Sequence, residues 1–140
     1  MKQREIKFRA WNKLDSNSKE RMIYPAILDV DGEVMMSNGD SWDIPIMQYT
    51  GLKDKNGKEI FEGDIVLYGE NKLFHSPPPK EMKGVIVYNE WWAKFIIEDK
   101  NGSWNPKYTW NGTQNEKGGT DIILVIGNIY ENPELLKKIK

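Results

Sequence analysis

Met47-Gln-Tyr-Thr-Gly-Leu-Lys-Asp-Lys-Asn-Gly-Lys-Glu-Ile-Phe-Glu-Gly-Asp-Ile-Val66 reads as strand, turn, strand, turn, strand. Asn56-Gly57 offers two consecutive positions that tolerate positive φ, which predicts a type I′ hairpin turn. Gly63 lets the chain turn sharply before Asp64-Ile65-Val66-Leu67-Tyr68 sets off as a new strand. The stretch decides the fold class because short strands this closely spaced leave no room for helices. It says little about chemistry.

Working outward, Ile6 to Trp11 alternates with period two, so Ile6, Phe8 and Ala10 are expected inward and Lys7, Arg9 and Trp11 outward or against a neighbour. Residues 12–20 read as a loop. Residues 21–30 read as one or two strands interrupted at Pro25, which cannot donate to a ladder. Asp31-Gly32 is a second hairpin signal, and residues 37–43, with Trp42, read as loop. Further strands are expected over 84–89, 93–98 and 121–130. The last carries an apolar run continuous enough for burial on both faces. Residues 105–120 hold too many breakers for a helix. Only 132–138 carries helix signals, with Asn132 as cap, Pro133 at the first position, Glu134 early and lysines late. Five Asn-Gly or Asp-Gly steps and many short strands predict an all-β barrel or sandwich.

The chain has 140 residues, enough for one domain that buries about 70% of its unfolded surface. It has no cysteine, which removes disulfides, thiol nucleophiles and cysteine zinc sites, and suits a reducing compartment. Residues 1–11 lack a signal-peptide core, and the longest apolar run, 122–126, is far too short to span a bilayer. Twenty basic against 21 acidic residues give a net charge of −1, which argues against non-specific nucleic-acid binding without excluding a local basic patch.

Three blocks carry a family resemblance: Arg4 to Trp11, Tyr49 to Ile60 continuing through Glu62-Gly63-Asp64-Ile65-Val66, and Val125-Ile-Gly-Asn-Ile-Tyr-Glu-Asn-Pro-Glu-Leu-Leu136. In this order they frame nearly the whole chain, and they resemble the YopX family of phage and prophage proteins. The resemblance implies a β-rich, barrel-like domain over 1–140, with 46–131 as its barrel core and 1–45 as a packed β-rich N-terminal part. It also implies a phage-encoded protein in the bacterial host cytoplasm. It implies no activity and no catalytic residues. Many members place an acidic residue where this chain has Leu124, so a scheme needing a carboxylate there is weakened.

Candidate chemistry is sparse. Gly51 to Lys58 has five residues between its glycines where a phosphate loop needs four, and Glu59 where a hydroxyl belongs. Asp29-Val-Asp31-Gly32 has its glycine too early for a calcium loop. His75 is the only histidine and lies beside Pro77-Pro78-Pro79, a stiff connector or docking segment. Glu59, Glu62 and Asp64 could bind magnesium or do acid–base work if they converged, but acids beside turns more often bond backbone N–H groups. Lys53, Lys55 and Lys58 make a small basic tip offset by Asp54 and Glu59.

The aromatic load is more informative, with six tryptophans and six tyrosines. Trp91 and Trp92 follow a strand, while Trp104, Tyr108 and Trp110 lie with Lys107 in a loop-like segment. Such residues serve as hot spots of a protein interface, stack on single-stranded bases, or simply lid a barrel end. The expectation is a non-enzymatic protein without cofactor or metal that binds another protein, including a second copy of itself, and no membrane. The alternative is a single-stranded nucleic-acid binder. The candidate surface is Trp91, Trp92, Trp104, Lys107, Tyr108 and Trp110.

Overall fold

The computed structural model describes residues 3, 5–13, 20–36, 38–68, 82–99 and 123–138. Its strands are β1 (Phe8–Asn12), β2 (Arg21–Ile23), β3 (Val34–Met35), β4 (Ser41–Trp42), β5 (Ile46–Lys53), β6 (Glu59–Phe61), β7 (Asp64–Tyr68), β8 (Met82–Asn89), β9 (Lys94–Asp99) and β10 (Ile123–Asn128). The class is all-β with a curled half-barrel sheet, as the turn spacing implied. Among the described residues the helical content is one 3-10 segment, Pro133–Lys138. An α-helix was expected there, but Asn132 spends its side-chain oxygen on the Asn128 N–H, 3.2 Å away, instead of on the segment's own free N–H groups. No helix among the described residues is long and apolar enough to cross a membrane.

Two compact units divide the chain, Met1–Tyr49 and Thr50–Lys140, and β5 runs from one into the other. In the first unit β1 lies between β2 and β5, antiparallel to both, with Ala10 opposite Ile23 and Ile46. A strand with neighbours on both sides has no solvent edge, and β1 is covered on both faces as well. Arg9 and Trp11, expected outward or against a neighbour, are therefore buried, whereas Ile6, expected inward, precedes the strand and is exposed. Ala10, Ala26, Val34 and Ile44 form this unit's core, with Trp42 packed against it. Trp42 belongs to a strand, β4, rather than to a loop.

The second unit holds the antiparallel sheet β10-β7-β8-β9. Period-two alternation puts Val66, Tyr68, Ile86, Phe95, Ile97, Ile123 and Val125 into one core with Ile60. Gly84 sits where β8 passes β9 closely, because a Cβ there would lie 2.9 Å from the Glu98 carbonyl oxygen and press into Ile97.

Asn56-Gly57 does make a hairpin, but of another type. The Gly57 N–H donates to the Asp54 carbonyl and the Asp54 N–H to the Lys58 carbonyl, at 2.9 and 2.7 Å. Only Gly57 has positive φ, so the loop is a type I turn closed by a glycine bulge. The same turn recurs at Asp29–Glu33 and at Met36–Asp40, closed by Gly32 and Gly39. In the two that begin with aspartate, the Oδ1 atom accepts from the N–H groups two and four residues on. There the carboxylate braces the loop with two further hydrogen bonds, which the Met36–Asp40 loop forms without.

Candidate functional site

The β8–β9 hairpin pairs over Gly84 to Asn89 and Lys94 to Asp99, with Tyr88 opposite Phe95 and Asn89 opposite Lys94. Glu90, Trp91, Trp92 and Ala93 form the tip. The Trp92 N–H donates to the Asn89 side-chain oxygen at 3.1 Å, and the Ala93 N–H reaches the Glu90 carbonyl at 3.4 Å. Closing this tip puts Ala93 at φ 47°, in the left-handed region. A residue with a Cβ loses about 1–2 kcal/mol there, where glycine would lose almost nothing.

The tip displays its aromatics. Trp91 is 92% exposed and Trp92 49%, and Tyr88 at the end of β8 is also exposed. Trp92 is steadied by the Lys94 ammonium, 5.6 Å from its ring centroid. Tyr88 meets Phe95 edge-on with centroids 5.4 Å apart. A tryptophan carries roughly 200 Å² of side-chain surface, so covering Trp91 would contribute about 5 kcal/mol before the ordering costs of association. The hairpin offers two lysines, Lys83 and Lys94, against three carboxylates, Glu90, Glu98 and Asp99. A backbone-tracking groove for single-stranded nucleic acid needs the opposite balance.

Of the sequence candidates, the structure places Trp91 and Trp92 together on this tip. Trp104, Lys107, Tyr108 and Trp110 lie outside the described residues, as do His75 and Pro77 to Pro79. Tyr88 falls within the strand expected over 84–89, and its place beside the tip is what exposes it. The strain at Ala93 leaves no mark in the sequence, because alanine carries no turn signal.

Two carboxylates of the central stretch, Asp64 and Asp54, are occupied by the backbone. Asp64 is 1% exposed and accepts the Phe61 N–H at 2.8 Å. Asp54, also 1% exposed, accepts from Asn56 and Lys58 through Oδ1 and from the Val125 N–H through Oδ2 at 3.0 Å. Glu62 faces Tyr130, whose hydroxyl is pushed above its ordinary pKa by burial first and by the Glu62 charge second. Among the described residues, no three carboxylate or imidazole groups gather as a metal-holding cluster.

A family model described as YopX protein matches residues 5–137. Among curated proteins none matches the chain. Among solved structures, the crystal structure of protein EF1440 from Enterococcus faecalis superimposes with a TM-score of 0.60 at 31% sequence identity. The match covers 94% of this chain and 98% of that one.

Proposed function

The chain belongs to the YopX protein family, and on that footing we propose that it acts by binding another protein, without catalysis, through the aromatic tip of the β8–β9 hairpin. The observation that carries this reading is Trp91, a large apolar side chain left almost wholly in water on a turn whose closing residue, Ala93, sits in the left-handed region. Strain retained beside a displayed side chain points to use of that side chain, because the turn would be more stable with glycine closing it. Solvated tryptophans on an ordered tip have the form of interface hot spots. The setting we propose is a bacterial cytoplasm, with the protein serving a phage or prophage as an accessory factor.

The test compares wild type with Trp91→Ala and Trp92→Ala as immobilised baits in lysate of the bacterial host, with each captured protein identified and its affinity measured after purification. A partner held by wild type and lost from both variants is the expected result. Capture that both variants retain would contradict the reading. A parallel tryptophan-fluorescence titration with single-stranded DNA, duplex DNA and RNA, at low and high salt, decides the competing case. The proposal expects a flat response, whereas a saturable response weakened by salt would replace the protein partner with nucleic acid.

A further inference from the structure

The first unit carries a second set of exposed apolar side chains that its own core does not use. Residues 20–46 hold six carboxylates, Glu20, Asp29, Asp31, Glu33, Asp40 and Asp43, against one basic residue, Arg21, in a chain whose overall balance is −1. Within this acidic stretch Ile27 is 64% exposed, Met35 46%, and Val30 lies fully in solvent.

Their placement is not scattered. Leu28 bridges Val34, and Val34 pairs with Trp42; these three side chains belong to the core or pack against it. Strand alternation then turns their neighbours to the other side. Ile27 and Met35 are adjacent across the ladder, since the Met35 N–H donates to the Ile27 carbonyl at 2.8 Å. Asp29 and Glu33 follow on the same outward side, with Ser41 of β4 opposite Met35 and Asp43 just beyond the end of β4. Asp29 keeps its charge at neutral pH. A hydrogen bond from Ser41 and the N–H groups of Glu33, Asp31 and Gly32 hold its carboxyl below the ordinary value, against a smaller opposing effect of burial. The face is thus an apolar centre of Ile27 and Met35 bordered by Asp29, Glu33 and Asp43, and the three segments that build it, 27–29, 33–35 and 41–43, carry no basic residue.

We propose that this outward ribbon face in the first unit docks a basic, amphipathic protein segment, with aliphatic side chains set against Ile27 and Met35 and lysines or arginines against Glu33 and Asp43. Charge complementarity selects that occupant. Nucleic acid would be repelled by the carboxylates, and an acidic protein surface would face like charges directly opposite. The site is separate from the β8–β9 tip and stands or falls without it.

The test uses fluorescence anisotropy with two short fluorescein-labelled peptides, one alternating lysine and leucine, the other alternating glutamate and leucine. The expected result is saturable binding of the lysine peptide alone, weakening as salt shortens the screening length. The paired changes Ile27→Ser with Met35→Ser, and Glu33→Gln with Asp43→Asn, should each weaken it about tenfold or more with unchanged circular dichroism, and Trp91→Ala should not alter it. Asp29 is left in place because its carboxylate closes its own turn. No saturable binding, equal binding of both peptides, or full affinity in both paired variants would overturn the proposal. So would a dimer by light scattering that dissociates in the Ile27→Ser, Met35→Ser protein, because the occupant would then be a second copy of the chain.

Discussion

Removing the Asp54 carboxylate tests how the central stretch is held. The side chain is 1% exposed and serves three backbone N–H groups, those of Asn56, Lys58 and Val125, at 2.9, 2.9 and 3.0 Å. Asn56 and Lys58 are exposed residues, so water replaces the acceptor at about 0.5 kcal/mol each. The Val125 N–H is buried within β10 and has no such recourse, so losing its charged acceptor costs about 2–3 kcal/mol. Asp54→Ala should therefore destabilise by about 3–4 kcal/mol, a large share of the 5–15 kcal/mol typical of a folded domain. Asp54→Asn keeps an oxygen for the two turn bonds but turns an NH₂ group toward the Val125 N–H. It should cost about 2–3 kcal/mol, essentially the Val125 bond alone. Urea unfolding followed by tryptophan emission is the assay. With a slope of about 2 kcal/mol per molar, the midpoint should fall by about 1.5–2 M for alanine and 1–1.5 M for asparagine. If both variants unfold within about 0.3 M of wild type, Asp54 does not pin the hairpin to β10 and the reasoning fails.

Other outcomes follow from single features. Ala93→Gly should raise stability by about 0.5 kcal/mol and the melting temperature by about 2 °C in calorimetry, since it relieves a left-handed alanine at some cost in unfolded-chain entropy. Gly84→Ala should cost about 2–3 kcal/mol in the same experiment, because the new Cβ meets the Glu98 backbone, which cannot rotate away. Tyr130 binds its proton more tightly folded than unfolded, so its contribution to stability is present below about pH 10 and is lost as pH rises through the folded value. Absorbance titration should show a late-ionising component that is lost in Tyr130→Phe and moves to lower pH in Glu62→Gln.

The positions of turns were legible from the residues, and their geometry was not. Asn56-Gly57 marks a hairpin, but positive φ falls on Gly57 alone, and the longer loop that results is braced at Asp54, two residues upstream, by the N–H groups its carboxylate reaches. Over 121–130 the continuous apolar run was expected to be buried on both faces, yet Ile123 and Val125 are buried while Leu124 and Ile126 are only half-buried, so one face alone meets the core. Alternation along Ile6 to Trp11 left Arg9 and Trp11 open between solvent and a neighbour, because it cannot tell a strand covered on both faces from one covered on a single face. Trp42 was misplaced because two residues of strand carry no period. At the hairpin tip, the aromatic pair is visible in the sequence, whereas the φ of Ala93 depends on how β8 and β9 close. The ribbon face of Ile27 and Met35 was overlooked because its apolar residues belong to two segments that only the Leu28–Val34 bridge brings side by side.

The most direct test of the central claim is the affinity of wild type and Trp91→Ala for one purified partner, measured by titration calorimetry alongside an unfolding curve for each protein. Trp91 is almost wholly in solvent, so its truncation should leave folding stability within about 0.5 kcal/mol of wild type. The same change should weaken binding by about 30-fold or more, as losing a hot-spot tryptophan of about 2 kcal/mol or greater requires. Equal affinities for the two proteins would show that the tip is not where this chain meets its partner.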